Sequence, residues 1–183
     1  TATLAINAAL TGHLVLSTLH TNSAAGAMPR LAEMEVEPFL IVSTIKIIIA
    51  QRLVRRLCNK GKTKYILSKD ELETLKDNVD MERVLGFLKE EKIVKPSADW
   101  STIPLYKAKE STECEDGYKG RIGIHEVIRI SPIISDLIMK EATTDQIEEQ
   151  AKKEGMMTMM EDGIFKAVQG ITTIEEVLRV ISE

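Results

Sequence analysis

Apolar residues recur along the chain in short runs separated by polar punctuation, and the period of the runs changes with position. Ala2 to Leu10 is alanine-rich and favours helix, with Thr11-Gly12 as its stop. Leu14 to Leu19 is a brief apolar run between polar ends, which predicts a buried strand. Asn22 or Ser23 is placed to cap the helix that follows, in which Pro29 should kink or delay the regular turn. Glu37-Pro38 sets a second start, because proline is tolerated at the first helical position. Phe39 to Ala50 is apolar almost all round and reads as a helix packed on a sheet, and Arg52 to Cys58 as a further strand. Helix, strand, helix, helix, strand with short connections predicts an α/β layer with a largely parallel sheet.

From Asn59 to Ser111 charged residues dominate. Ser68-Lys69-Asp70-Glu71 forms a capping box, Asp80 is placed to cap a helix with Val84, Leu85 and Leu88 on one face, and Thr102 to Lys107 is strand-like. Arg121 to Ile128 resumes an apolar strand after the glycine turn Gly117-Tyr118-Lys119-Gly120, so the charged region reads as an inserted subdomain. Helices then follow from Ser131-Pro132, from Thr143 boxed with Gln146 up to Gly155, from about Met157 to Val168, and from Thr173 boxed with Glu176. In the last, Ile174, Val177, Leu178 and Ile181 form the apolar stripe. The methionines Met156, Met157, Met159 and Met160 read as adaptable core packing.

With 183 residues, 44% hydrophobic and 28% charged, the chain can bury a substantial core. A net charge of −4 and a pI near 5.5 supply no basic field for a nucleic-acid backbone, so nucleic acid is not an expected partner. Cys58 and Cys114 lie far apart with no signal peptide, which makes reduced thiols and a cytoplasmic location the expectation. The stretch Phe39 to Ala50 falls short of the roughly 20 apolar residues that a spanning helix needs, so direct membrane insertion is not expected either. The chain opens on TATLAINAAL, without methionine, and reads as part of something longer.

The candidate chemistry sits in GHLVLSTLHTN, Gly12 to Asn22. In open parallel sheets ligands bind beyond the carboxyl ends of the strands, where His20, Thr21 and Asn22 would stand beside the N-terminus of the next helix. Their donors and acceptors suit phosphate oxygens. On spacing alone His20 equally reads as a helix cap or a core histidine. Gly61-Lys62-Thr63 mimics the end of a G-x-x-x-x-G-K-[ST] loop, but the first glycine is replaced by Arg56 and the following residues, KYILSKDEL, do not open an apolar helix. No predicted strand ends in an acid that would organise Mg²⁺. Ser17 with His20 makes a poor hydrolase pair, since residues three apart on a strand point to opposite faces.

In order and spacing, AALTGHLVLSTLHTN, VEPFLI, QRLVRRLC and GYKGRIGIHEV resemble the secretion ATPase family that powers type II secretion and type IV pilus assembly. The likeness runs from Thr1 through GITTIEEVLRV and is weakest in the charged insert. It implies an α/β fold: an incomplete RecA-like core over residues 1–58, an inserted small α+β subdomain over 59–120, and a strand with a C-terminal helical subdomain over 121–183. The stretch Gly12 to Asn22 matches that family's histidine box, which implies that His20, with Thr18 and His13, lies near the terminal phosphate of ATP, beside the Thr21 and Asn22 already read as phosphate-facing from their placement.

Arg52, Arg55 and Arg56 read either as a solvated strand edge or as guanidinium groups aimed at nucleotide or a neighbouring subunit. The resemblance further implies ATP and Mg²⁺ in the parent protein, a homo-hexameric ring, and an inner-membrane platform protein as partner, the chain itself being cytoplasmic and peripheral. Many relatives hold zinc in two C-x-x-C pairs. Here those pairs would be Cys58 with Gly61 and Ser111 with Cys114, each short of one ligand, so zinc is not expected. The phosphate loop and the acidic strand are missing from these residues, so the fragment is expected to be inactive alone, within a parent motor that extends a pilus or pseudopilus. The alternative is a stand-alone interaction or regulatory module of the same fold.

Overall fold

The computed structural model describes residues 2–182. Two compact units divide the chain. The first comprises the chain up to Gln51 together with Glu126–Thr158, and the second Arg52–His125 together with the chain from Met159 onward.

In the first unit, helix α1 (Ala2–Leu10) is closed by left-handed Gly12 at φ +92°, which places the His13 amide on the Ala8 carbonyl and the Gly12 amide on Ala9. This pair of bonds is the Schellman stop that the Thr11-Gly12 signal predicts. Helix α2 (Ala27–Glu33) carries Pro29 inside its first turn, where the missing amide costs nothing. Helix α3 (Pro38–Thr44) starts on Pro38, as expected. The same unit holds α6 (Pro132–Met139), capped by Ser131, and α7 (Thr144–Lys153), opened by the full Thr143/Gln146 capping box. Ile6, Met28, Leu31, Ile41, Ile128 and Ile134 share one core there.

The second unit holds β2 (Lys62–Tyr65) paired antiparallel with β3 (Leu105–Ala108), Lys62 opposite Ala108 and Tyr65 opposite Leu105. Around this ribbon lie α4 (Lys69–Lys76) with the Ser68/Glu71 box, α5 (Met81–Glu90) capped by Asp80, α8 (Met159–Val168) and α9 (Ile174–Ser182). Val84 and Leu88 are fully buried with Trp100, whose indole N–H donates to the Met81 carbonyl at 3.0 Å. Met159 is buried here, and Met156 is buried in the core of the first unit, both as packing residues.

Strands β1 (Ile47–Leu57) and β4 (Tyr118–Arg129) form the other two-stranded sheet. Its direction is antiparallel. The Ile130 amide bonds the Lys46 carbonyl at one end of the ladder, and the Cys58 amide bonds Gly117 at the other.

Several expectations are corrected. The sheets of the described residues are antiparallel pairs, and the chain is mixed α/β without the predicted parallel layer. Leu14 to Leu19 is not a strand: Leu14 and Leu16 are 89% and 88% exposed, and no backbone hydrogen bond among the described residues involves positions 14 to 20. A strand forms only where a neighbour takes up its amides and carbonyls, and none stands beside this run. The predicted helix over Phe39 to Ala50 ends at Thr44, because the β-branched run Ile47 to Ile49 has β4 to pair with and prefers the pleat.

Candidate functional site

Five of the sequence-predicted residues lie in the first unit, on the irregular stretch between α1 and α2. His13 follows the Schellman stop, and its Nδ1 lies 3.1 Å from the Thr11 hydroxyl. His13, Thr18 and His20 are all exposed, as is Asn22, while Thr21 is half-buried and donates from Oγ1 to the Ser23 carbonyl at 3.0 Å. Ser23 Oγ accepts the Gly26 amide at 3.1 Å in the turn before α2, but the N-cap of α2 is Gly26 without a side-chain cap bond, so the expected cap from Asn22 or Ser23 is corrected. Ala24 and Ala25 are fully buried. The Ala24 amide donates to Glu126 Oε1, whose side chain is itself buried. His20 and Asn22 are thus exposed, and Thr21 is half-buried, just upstream of a turn whose Ala24 and Ala25 are fixed in the core.

The three arginines lie on β1, in the second unit. Arg55 is committed: its guanidinium donates to Glu176 at 2.9 and 2.8 Å, reaches Asp116 at 3.3 Å, and stacks 4.2 Å from the centre of the Tyr118 ring. Glu176 is 1% exposed and also accepts from Arg179 at 2.7 Å. Burial alone would raise its pKa, but the Arg179 and Arg55 hydrogen bonds outweigh that and hold it at about 2. The predicted capping box at Thr173 is therefore half made. Thr173 Oγ1 accepts the Glu176 amide at 3.2 Å, while the Glu176 carboxylate turns to the arginines instead of back to Thr173. Arg52 is half-buried and Arg56 exposed, and among the described residues neither side chain has a hydrogen bond or ion pair.

The expectation of reduced thiols is also corrected: Cys58 and Cys114 are joined as a disulfide. Two turns meet there. The Gly61 amide donates to the Cys58 carbonyl, and Ser111 and Cys114 exchange backbone hydrogen bonds across a one-bridge hairpin. A 56-residue separation in sequence hides the encounter. All four positions of the two degenerate C-x-x-C pairs converge, since a Cβ on Gly61 would stand 3.3 Å from Ser111 Oγ. That hydroxyl is buried and unpartnered among the described residues. With both sulfurs bonded to each other, no thiolate remains for a zinc ion and the residues do not fit one.

Among the described residues no three or more His, Cys, Asp or Glu side chains gather in a group that could hold a metal ion. Lys62 of the mimic loop opens β2 and donates to the Gly170 carbonyl at 3.0 Å. No helix among the described residues is long and apolar enough to cross a membrane.

Sequence reasoning passed over Glu126, although the signal was present. Ile122, Ile124 and Ile128 alternate on one face of β4, and Glu126 occupies the same register. An acid in an apolar register marks a buried partner.

The motif order that resembles secretion ATPases is matched by comparison with known proteins. The chain is 43% identical over its full length to the type IV pilus assembly ATPase PilB of Pseudomonas aeruginosa, and 43% identical over its full length to the type II secretion system protein E of Xanthomonas campestris. It is 45% identical, over 97% of its length, to the PilB of Thermus thermophilus. It spans 29%, 29% and 18% of those three proteins, respectively. A match to the family profile described as Type II/IV secretion system protein covers residues 1–179, nearly the whole chain, and the chain belongs to that family.

Proposed function

We propose that this chain is the C-terminal part of a motor ATPase that assembles as a homo-hexamer and powers type IV pilus assembly or type II secretion against an inner-membrane platform protein. The observation that carries the reading is the family match across residues 1–179, with relatives of both machines at similar identity. Within that motor, His20 with Thr18 and His13 senses the terminal phosphate of ATP, and Thr21 and Asn22 border it. The exposure of His13, Thr18, His20 and Asn22 on a stretch whose exit is held at Ala24 supports this, because a sensor needs accessible polar groups and a rigid point to move against. Arg52 and Arg56, whose side chains are uncommitted, are the arginines suited to contact nucleotide or a neighbouring subunit, whereas Arg55 organises its own unit.

The sequence holds no complete phosphate-binding loop and no predicted strand that ends in an acid to organise Mg²⁺, so the chain alone is expected not to turn over ATP. Turnover belongs to the longer protein, in which ATP and Mg²⁺ are held by residues outside this sequence. The test is ATP hydrolysis by the upstream-extended protein, wild type against His20→Ala at matched ring assembly. Loss of turnover with nucleotide binding retained supports the assignment, and unchanged turnover overturns it.

A further inference from the structure

From residue 14 to residue 20 the chain makes no backbone hydrogen bond among the described residues, so the aim of His20, Thr21 and Asn22 depends on where the stretch is pinned. At its start the pin is the Schellman closure of α1 at Gly12 and His13. At its end the first buried residue is Ala24, and what holds the Ala24 amide is the Glu126 carboxylate, 102 positions away in sequence. Both groups lie inside the first unit.

We infer that Glu126 is the positioning residue of the His20-Thr21-Asn22 segment, fixing its exit through the Ala24 amide. The inference rests on the phosphate-sensing reading proposed above for its consequence, though not for its geometry. A charged acceptor makes a stronger bond to an amide than a neutral one does, and a buried amide left without an acceptor is costly. The residue types agree. Alanine at 24 and 25 lets the turn sink fully into the core, while the part-buried hydroxyl of Ser23 closes the same turn by accepting from Gly26. Two acceptors therefore secure two successive parts of one turn, and the segment that carries the candidate phosphate contacts enters it two residues upstream. Glu126 is not a catalytic residue on this view. It acts through Ala24.

The anchor is read by NMR amide exchange on this chain, without nucleotide. Glu126→Met, which keeps the bulk and removes the acceptor, is expected to speed exchange of the Ala24 amide about tenfold while Ile128, on the same strand, stays protected. Unchanged exchange at Ala24 in the folded variant overturns the anchor. Should Glu126→Met fail to fold, Glu126→Gln keeps a neutral acceptor of the same shape, and an upfield shift of the Ala24 amide proton is expected. No shift in that variant overturns the anchor as well. The consequence is read in the upstream-extended protein. Glu126→Met is expected to lower kcat for ATP by about tenfold with KM changed less than about twofold, and Glu126→Gln to restore most of the loss. Equal kcat in wild type and Glu126→Met overturns the positioning role even where the anchor holds. If His20→Ala leaves turnover unchanged while Ala24 loses protection in Glu126→Met, the sensing reading has failed and the anchor has not.

Discussion

Arg55 and Glu176, 121 positions apart in sequence, meet in a two-point contact at 2.9 and 2.8 Å that ties strand β1 to the first turn of helix α9. The Arg55 amide also donates to the same carboxylate at 3.2 Å, and the Thr172 hydroxyl returns a bond to the Arg55 carbonyl at 2.8 Å. Backbone and side chain of one arginine are thus both engaged. A planar guanidinium suits this role because its forked donors match a carboxylate while its face stacks on Tyr118.

Glu176→Ala should destabilise the protein by about 2 to 4 kcal/mol, because it removes the shared acceptor of two arginines and leaves a hole at a 1% exposed site. Arg55→Ala should cost less, about 1 to 2 kcal/mol, since Arg179 continues to neutralise the carboxylate. Arg56→Ala should lie within about 0.5 kcal/mol of wild type. Urea denaturation of the four proteins separates these outcomes. Equal losses for Arg55→Ala and Arg56→Ala would contradict the ranking.

The same carboxylate sets an acid limit. Its folded pKa of about 2 lies below the ordinary 4.5, so its contribution is fully present above pH 4.5 and is lost as the pH falls from there toward 2. After discounting for the half-exposed arginines, the contribution is on the order of 2 kcal/mol. Wild type should therefore lose more stability than Glu176→Gln between about pH 5 and pH 3, a difference that thermal melts at fixed pH would measure. Parallel melting curves across that window would refute the assignment.

How legible was this in the sequence? Caps and stops were, because each is a local exchange of backbone bonds: Ser68 with Glu71, Thr143 with Gln146, Asp80, Pro38 and Gly12 all act where their spacing placed them. What failed depended on partners. Leu14 to Leu19 has the composition of a buried strand and lacks a neighbour, while Ile47 to Ile49 has the composition of a buried helix and has β4 beside it. Glu176 has the spacing of a capping glutamate and is taken by arginines instead. That the turns of Cys58 and Cys114 form a pair was legible only through the degenerate C-x-x-C spacing, and their bonding to each other was not. Of the candidate site, the polar residues were legible. Their anchor was legible only as an acid in the wrong register of β4.

The Cys58–Cys114 disulfide closes a loop that contains most of the charged region. In the chain-entropy treatment a cross-link across 56 residues stabilises the folded state by about 4 kcal/mol. Reductant should therefore lower the melting temperature of wild type and leave Cys58→Ser/Cys114→Ser unaffected. The reduced wild type and the double variant should melt within a few degrees of each other. Insensitivity of wild type to reductant, with free thiols confirmed by alkylation, would show that packing alone holds the two turns together.

Gly163 offers a test of the α8–α9 contact through space rather than charge. A Cβ built there would stand 2.4 Å from Val177 Cγ1 and 2.9 Å from its Cγ2, far inside van der Waals distance. Glycine is a poor helix former, so on propensity alone Gly163→Ala within α8 should be stabilising. The clash should win, because Val177 is fully buried and has few rotamers to retreat into, giving a net loss of about 1 to 3 kcal/mol. Val177→Ala alone should cost about 1 to 3 kcal/mol by opening a cavity. In the double variant the new methyl occupies the space that the valine vacated, so the two losses should fall short of their sum by about 1 kcal/mol or more. Strict additivity in the cycle would mean that the helices shift apart rather than pack at this point.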